Sequence, residues 1–142
     1  MIENCGYDGP GAALQHIYGN RLKPPVPAPN RSMSLFDQAP FMTEDNNGTN
    51  VWNETMPKVT GLAPAGYVYV PARCKLAGAK CKLHFSLHGC SVNEYYDEAV
   101  HHLGFQSWGE ANGIVIVYPR LQPHGGTTET IDGCWDGTRT WV

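Results

Sequence analysis

The chain has 142 residues, enough for one domain with a hydrophobic core. Hydrophobic residues make up 42% of it, which excludes a disordered composition, and 16 glycines with 11 prolines favour a loop-rich globular protein. A net charge of -3 and a pI near 6.0 argue against nucleic acid or an anionic membrane as the main partner. No apolar run approaches the roughly 20 residues that a transmembrane helix needs.

The amino-terminal part predicts a short helix followed by a long region without a clear element. Asp8 is placed to cap a helix over residues 10–18 that ends at Gly19. We expect the buried side of this helix to consist of small and aliphatic residues, namely Ala12, Ala13, Leu14 and Ile17. Further on, residues 35–41 predict either one short strand or an anchored loop, and residues 43–54 predict a polar surface loop.

Two strand patterns follow in the middle of the chain. Residues 66–71 alternate aromatic and β-branched side chains between a glycine and a proline, which predicts a strand. Residues 82–87 predict a second strand, which we expect to lie beside the first, either parallel or antiparallel. The period of two places three apolar side chains on one face of this strand and three polar ones on the other: Leu83, Phe85 and Leu87 against His84, Ser86 and His88.

The next segment predicts a helix that leads into a third strand. Ser91 and Glu94 have the spacing of a capping box, and a break in the helix is expected near Gly104. After the helix end at residues 112–113, residues 114–118 are continuously apolar, which is typical of a strand covered on both faces. A helix between two such strands predicts a right-handed parallel crossover.

Five cysteines and three glycosylation sequons indicate a secretory history. Cys74 and Cys81 close a short loop and predict a disulfide; Cys90 and Cys134 are further disulfide candidates, with no connectivity assigned. The candidate glycosylation sites are the sequon asparagines Asn30, Asn47 and Asn53. The first residues have neither the basic start nor the apolar core of a signal peptide, so we expect a chain whose front is missing.

The turn His88-Gly89-Cys90 follows the second strand, and the carboxyl ends of strands are where open α/β sheets hold their chemistry. The backbone N–H groups of such a turn are suited to an oxyanion hole for acyl transfer, and an ordinary turn is the alternative. A serine nucleophile requires Gly-x-Ser-x-Gly between a strand and a helix. The nearest match surrounds Ser107, has a phenylalanine in place of the first glycine and lies within a predicted helix. We therefore assemble no complete Ser/His/acid triad.

The other chemistry-bearing side chains favour structural roles. His84 and His88 are about 13 Å apart along a strand, too far to share a metal ion, and we predict no metal site. A thiol nucleophile at Cys90 would lack a positioned base, so a disulfide or a buried thiol is favoured. Asp132 and Asp136 are interpreted as solvated loop residues rather than as acids.

Six segments, in order along most of the chain, resemble the extracellular polyhydroxybutyrate (PHB) depolymerases of the circularly permuted α/β-hydrolase type. They lie at residues 5–19, 36–38, 66–71, 81–90, 108–119 and 133–136. The resemblance implies a partial α/β-hydrolase fold, with a mostly parallel sheet and flanking helices, loop-rich and incomplete. We expect a single partial domain over residues 1–142, composed of a short helix region (1–19), a Pro-rich, glycosylatable loop region (20–64) and a strand-helix-strand region with the oxyanion turn (65–142).

The resemblance also implies roles for particular residues. The backbone N–H of Cys90 would be an oxyanion donor, and Trp135 would line the ester-binding crevice. Thr130 stands where the family has an asparagine, which is a departure from the pattern. The catalytic serine, acid and histidine of the family would lie ahead of Met1, and no metal or cofactor is implied.

The expected function is that of a fragment or truncated copy of a secreted depolymerase-like serine esterase, inactive alone. Its intact parent would cleave polyesters or short-chain hydroxyacid esters outside the cell, with no nucleic acid or membrane as partner. The alternative is a non-catalytic secreted protein that binds a polymer or a glycan through aromatic side chains: Trp52, Tyr95, Tyr96 and Trp135. A third hypothesis, an intact feruloyl esterase, fails on the missing serine elbow. No oligomeric state follows from the sequence.

Overall fold

The computed structural model describes residues 5–19, 21–41 and 62–121, together with Gly133 and Trp135. Several predictions from the sequence lie outside these residues. They are the surface loop at 43–54, the sequons at Asn47 and Asn53, and the positions of Trp52, Thr130, Asp132, Cys134 and Asp136.

A four-stranded mixed sheet forms the centre of the described part. Its strands are β1 (Met33–Asp37), β2 (Ala65–Tyr69), β3 (Lys82–Phe85) and β4 (Ile114–Tyr118), arranged in the order β1-β2-β4-β3. The β1–β2 and β2–β4 pairs are antiparallel, whereas β3 and β4 are parallel. Of the two alternatives for residues 35–41, the first part is therefore a strand and the remainder a short 3-10 turn.

The expectation that the strands at 66–71 and 82–87 are neighbours is wrong, because β4 lies between them. Ile116 of β4 pairs with Tyr69 of β2 on one side and with His84 of β3 on the other. The reason lies in β4 itself, since a continuously apolar strand is most stable in the interior of a sheet. The parallel pairing of β3 with β4 that the predicted crossover requires is present.

The described part contains three α-helices: α1 (Gly9–Tyr18), α2 (Tyr96–His102) and α3 (Phe105–Asn112). Asp8 caps α1 as predicted, because its carboxylate accepts a hydrogen bond of 2.8 Å from the N–H of Gly11. The predicted helix break is confirmed, since Gly104 (φ 89°) separates α2 from α3. Among these described helices none is long and apolar enough to cross a membrane.

The capping box predicted at Ser91 and Glu94 is wrong. Ser91 has a φ of 60°, in the left-handed region, whereas a residue that caps a helix has an extended backbone. No side chain caps the 3-10 turn Asn93–Tyr95 that leads into α2.

The core lies on the face of the sheet where α1 and α3 pack. Ile114 and Ile116 of β4 are fully buried there, in one cluster with Leu14 of α1 and Trp108 of α3. The indole N–H of Trp108 donates a 2.9 Å hydrogen bond to the carboxylate of Asp8. One carboxylate therefore both caps α1 and ties it to α3.

The predicted buried side of α1 is partly wrong, because Ala12 and Ile17 are exposed while Gly11 and Leu14 are buried. A Cβ atom added at Gly11 would lie 2.5 Å from the ring of Trp108. The closest approach of α1 to α3 therefore depends on a glycine rather than on an aliphatic side chain.

The opposite face of the sheet is apolar and uncovered by the described residues. Leu83, Phe85 and Leu87 lie on it and keep 53%, 55% and 58% of their surface exposed. Phe85 pairs with Val117, which pairs with Val68, so this face continues across β4 and β2. We name this surface the open face, formed by Phe36, Val68, Leu83, Phe85, Leu87, Val115 and Val117.

A buried side-chain amide continues the sheet beyond β1. The Gln38 amide nitrogen donates to the carbonyl oxygens of Ala63 (2.6 Å) and Arg120 (3.0 Å), and its oxygen accepts from the N–H of Arg120 (3.0 Å). The amide thus pairs with Arg120 as a peptide group of an adjacent strand would. It connects the end of β1 to the segment that follows β4.

Candidate functional site

The turn His88-Gly89-Cys90 lies where β3 leaves the sheet. The N–H of Ser86 still donates to the carbonyl of Val117 (2.9 Å), after which the turn residues Gly89 and Cys90 are exposed. A Cβ atom added at Gly89 would meet no other atom within 4 Å. Packing against the described residues therefore does not require glycine there.

The imidazole of His88 holds this turn through two backbone groups. Its Nδ1 lies 2.8 Å from the carbonyl oxygen of Gly89, and its Nε2 lies 2.9 Å from the nitrogen of Leu121. A carbonyl only accepts and an N–H only donates, so the geometry assigns the proton to Nδ1 and leaves Nε2 as the acceptor. The ring is consequently neutral, with one tautomer defined by its partners.

The surroundings of His88 favour this neutral form. Burial lowers the pKa of His88, and the positive charge of Arg120 acts in the same direction, while the hydrogen bond to Gly89 opposes them. Protonation would place a second donor at Nε2, against the N–H of Leu121. We therefore expect the turn to lose this hydrogen bond on acidification.

Two aromatic rings enclose His88. The ring of Tyr96 lies edge-on at a centroid distance of 5.6 Å, and the ring of Trp135 lies at 5.7 Å. Tyr96 is buried and its hydroxyl donates to the carbonyl of Tyr118, so Tyr96 offers no free binding surface, whereas Tyr95 is exposed. The indole N–H of Trp135 is buried and has no hydrogen-bond partner among the described residues. His88 thus brings the predicted oxyanion turn and the predicted crevice residue Trp135 together.

The cysteines of the described part have distinct states. Cys74 and Cys81 form the predicted disulfide, with a Cα–Cα distance of 6.0 Å. Cys90 is also disulfide-bonded, which excludes a thiol nucleophile at the turn in this oxidised form. Cys5 has a free, exposed thiol.

Two further histidines of the described part, His84 and His101, pack against aromatic rings outside the turn. His84 lies on the helix-facing side of β3 against Tyr18 and Phe105, and burial lowers its pKa. His101 contacts the ring of Tyr67, at a centroid distance of 5.6 Å. Within the described ranges, no three His, Cys, Asp or Glu side chains are grouped as a metal site requires.

The serines of the described part do not complete a triad. Ser107 lies inside α3, as expected from the sequence, and its carbonyl accepts from the N–H of Val26. Sequence reasoning missed that Gly89-Cys90-Ser91-Val92-Asn93 comes within one residue of the Gly-x-Ser-x-Gly pattern, between a strand and a helix. The left-handed backbone of Ser91 matches a strained turn, but no described histidine bonds its hydroxyl. Within the described ranges, a nucleophile at Ser91 therefore has no base.

In this chain the parallel strands β3 and β4 are joined through helices, and the His-Gly turn follows β3 within a mixed sheet. This arrangement is a partial α/β-hydrolase fold. Comparison with known proteins narrows this class. No family model matches the chain. The chain is, however, similar over nearly its whole length to PHB depolymerases, and it resembles their carboxyl-side part.

Two curated relatives carry this similarity. A polyhydroxybutyrate depolymerase of Talaromyces funiculosus is 32% identical over 151 aligned positions, which cover 99% of this chain and 39% of the relative. A poly(3-hydroxybutyrate) depolymerase of Delftia acidovorans is 32% identical over 139 positions, which cover 95% of this chain and 24% of the relative. The chain therefore spans about two-fifths of the first relative and a quarter of the second.

Solved structures agree with the curated relatives. The crystal structure of PHB depolymerase from Penicillium funiculosum superimposes with a TM-score of 0.69 at 31% identity, over 96% of this chain and 41% of that one. A PHB depolymerase variant complexed with an R3HB trimer gives the same TM-score at 30% identity. The sheet and helices described above are thus part of the fold of those enzymes.

Proposed function

We propose that this chain is a carboxyl-side part of a secreted depolymerase-like serine esterase. It supplies an oxyanion donor and one wall of the ester-binding crevice, but no activated nucleophile. The observation that carries the proposal is the contact between His88 and Trp135, because it sets the proposed crevice wall beside the Cys90 turn. The similarity to depolymerases on both sides of this contact supports the assignment.

The chemistry follows from the geometry of the turn. The ester carbonyl of a hydroxyacid unit would lie beside Gly89, with its oxygen toward the N–H of Cys90. When a serine hydroxyl attacks the carbonyl carbon, that oxygen gains negative charge, and a fixed backbone donor stabilises it more than it stabilises the ground state. One such donor is worth about 10²–10³ in kcat. The attacking serine and its base belong to the part of the enzyme that this chain does not match.

An oxidising, extracellular environment is part of the proposal. The Cys74–Cys81 disulfide and the disulfide-bonded state of Cys90 are consistent with it, since disulfides persist mainly in oxidising compartments. Asn30, the sequon asparagine in the described part, is exposed, as an attached glycan requires.

The first experiment measures hydrolysis by the chain alone. We expect no turnover of p-nitrophenyl butyrate, because binding and oxyanion stabilisation without a nucleophile leave only a small residual rate. Turnover that a serine-directed inhibitor abolishes would contradict the missing nucleophile.

The second experiment tests the crevice wall in a complete enzyme. This chain replaces the matching segment of the Talaromyces funiculosus depolymerase, and hydrolysis of an R3HB trimer is measured. We expect activity, with kcat/KM lowered about tenfold by Trp135→Ala, equivalent to about 1.4 kcal/mol. The matched control is Tyr95→Ala, an exposed aromatic residue that does not contact His88. A folded chimera without hydrolysis, or equal effects of the two substitutions, would overturn the proposal.

A further inference from the structure

A polar hollow of about 220 Å³ lies beside the sequon asparagine Asn30, on the helix-covered side of the sheet where β1 begins. The segment before β1 forms one wall, and the junction between α2 and α3 forms the other. Its polar lining includes Asn30, His101, His102, Gln106 and Ser107. The sequon asparagine is thus itself part of the wall of a cavity, and not a residue on a plain convex surface.

The side chain of Asn30 is available for a covalent substituent. Asn30 is exposed and begins the 3-10 turn Asn30–Ser32. Within the described ranges, no hydrogen bond engages its side-chain amide. The fold therefore does not use this amide, and an Asn-x-Ser sequence is an acceptor for N-linked glycosylation.

The serine of the same sequon limits when the sugar is added. Ser32 is only 4% exposed, and its carbonyl accepts a 2.9 Å hydrogen bond from the N–H of Val70 at the end of β2. A transferase has to reach both the asparagine and the hydroxyl two residues later. It therefore acts before β1 pairs with β2, and the sugar is already present when the hollow forms.

The lining suits the first sugar of an N-linked glycan, N-acetylglucosamine, which has hydroxyl groups, an acetamido group and an apolar ring face. The amide nitrogen of Gln106 donates to the carbonyl of Val100, which fixes this amide and leaves its oxygen as an acceptor. The hydroxyl of Ser107 both donates and accepts. Pro29 and Met33 supply apolar surface for the ring face and the acetamido methyl group.

We propose that Asn30 carries an N-linked glycan whose first N-acetylglucosamine is seated in this hollow and joins the start of β1 to the α2–α3 junction. The bond forms between the Asn30 amide nitrogen, which loses a proton, and the anomeric carbon of the sugar. That carbon leaves the diphosphate of a polyisoprenyl carrier, the donor in the secretory pathway. The inference rests on the secreted origin in the proposed function and is independent of ester hydrolysis.

The test exports the whole chain from yeast, as wild type and with Asn47→Gln and Asn53→Gln, which leave Asn30 as the single sequon. Peptide mapping by mass spectrometry measures occupancy, and endoglycosidase H trims the glycan to one sugar. The reference is the same sequence from a bacterial periplasm, which is oxidising and adds no such glycan. We expect the one-sugar form to have a Tm about 3 °C higher, with hydrogen exchange at residues 101–107 slowed about fivefold.

A displaced sugar is the matched control. Gly78→Asn with Lys80→Thr, in an Asn30→Gln background, moves the sequon into the disulfide-closed loop, where a Cβ atom at Gly78 would meet no described atom within 4 Å. A single sugar there should leave Tm unchanged relative to the periplasmic form of the same variant.

Two histidine variants test the contact itself. His102→Ala removes an exposed imidazole from the wall of the hollow and should reduce the Tm gain from the sugar by about half. It should leave the Tm of the unglycosylated chain nearly unchanged. His16→Ala removes an exposed imidazole of α1 that does not line the hollow, and it should leave the gain intact.

Each outcome decides the inference. Unmodified Asn30 in a wild-type chain whose Asn47 or Asn53 is occupied overturns it and leaves the proposed function standing. An occupied Asn30 that gives no Tm gain, or the same gain as the displaced sugar, overturns the seat. A stabilising sugar in a chain whose depolymerase chimera is inactive supports the seat and counts against the proposed function. Three unmodified sequons overturn the inference together with the secreted origin.

Discussion

Replacement of His88 by alanine is expected to destabilise the chain more than any surface substitution. The change removes the acceptor for the N–H of Leu121, a buried residue, and leaving that donor unpaired costs about 1–3 kcal/mol. Loss of the ring contacts with Tyr96 and Trp135 adds about 1 kcal/mol. The carbonyl of Gly89 is exposed and regains water at little cost. The free energy of unfolding should therefore fall by about 2–4 kcal/mol.

The assay is urea unfolding followed by tryptophan fluorescence, with two controls. His88→Gln keeps one donor and one acceptor on a planar amide and should recover part of the loss. His102→Ala removes an exposed imidazole and should change stability by no more than about 0.5 kcal/mol.

The same variants give a pH dependence of defined sign. Burial holds the pKa of His88 below its ordinary value of 6.5 in the folded chain, so the unfolded chain takes up a proton there first as pH falls. The contribution to stability is fully present above pH 6.5 and is lost as pH falls below that value toward the folded pKa. His84, whose pKa burial also lowers, adds a dependence of the same sign. Among the described residues, Arg120, near the ring of Tyr96, and Tyr96 itself are the other ionisable groups that face His88.

The His88→Gln variant should therefore lose less stability than the wild type between about pH 7.5 and about pH 5.5. The double variant with His84→Gln should lose least. Equal pH dependence in wild type and His88→Gln would refute the neutral, two-bond arrangement of the imidazole. A loss in His88→Ala no larger than in His102→Ala would refute its structural role.

Three further predictions concern the scaffold. Gly109→Ala should destabilise the chain by about 1–3 kcal/mol, because the added Cβ would lie 2.7 Å from the carbonyl oxygen of Ile114. Gly89→Ala, where the added Cβ meets no described residue, should leave the unfolding midpoint unchanged. Similar midpoints for the two variants would contradict this reasoning. Replacing Cys74 and Cys81 together by serine should lower the free energy of unfolding by about 2.5 kcal/mol, and no difference between oxidised wild type and variant would contradict it. Trp108→Phe removes the hydrogen bond to the Asp8 carboxylate, which caps α1, and should lower the free energy of unfolding by about 1–2 kcal/mol in the same urea assay. An unchanged free energy of unfolding would show that this hydrogen bond does not stabilise the chain.

The elements whose signals are local in the chain could be predicted from the sequence. The strand of alternating aromatic and β-branched residues at 66–71 and the helix break at Gly104 depend on neighbouring residues, and both are present. The order of the strands depends on distant pairings, and the expectation placed β2 beside β3. The apolar run at 114–118 carried the missing information, because a strand with two apolar faces belongs between two others.

The candidate site divides in the same way. The position of the turn after β3 followed from the sequence, but its two backbone tethers did not, since the partner of His88 is a main-chain group of Leu121 that any residue type provides. The left-handed backbone of Ser91 has no marker in its residue type. In α1 the error arose from weighing hydrophobicity alone, whereas the contact with Trp108 selects the smallest residue, Gly11.

The side-chain amide of Gln38 positions the turn at residues 88–90 indirectly, through the main chain at residues 120–121. Its hydrogen bonds hold the peptide group of Arg120, and the N–H of the next residue, Leu121, donates to His88. The His88 imidazole in turn bonds the carbonyl of Gly89, the residue before Cys90. The amide serves as donor and acceptor at once, so it has to remain uncharged. Deamidation to glutamate would set a carboxylate against two main-chain carbonyls. Deamidation of Gln38 would thus disturb a series of hydrogen bonds that ends beside the backbone N–H of Cys90, the group proposed to stabilise the oxyanion.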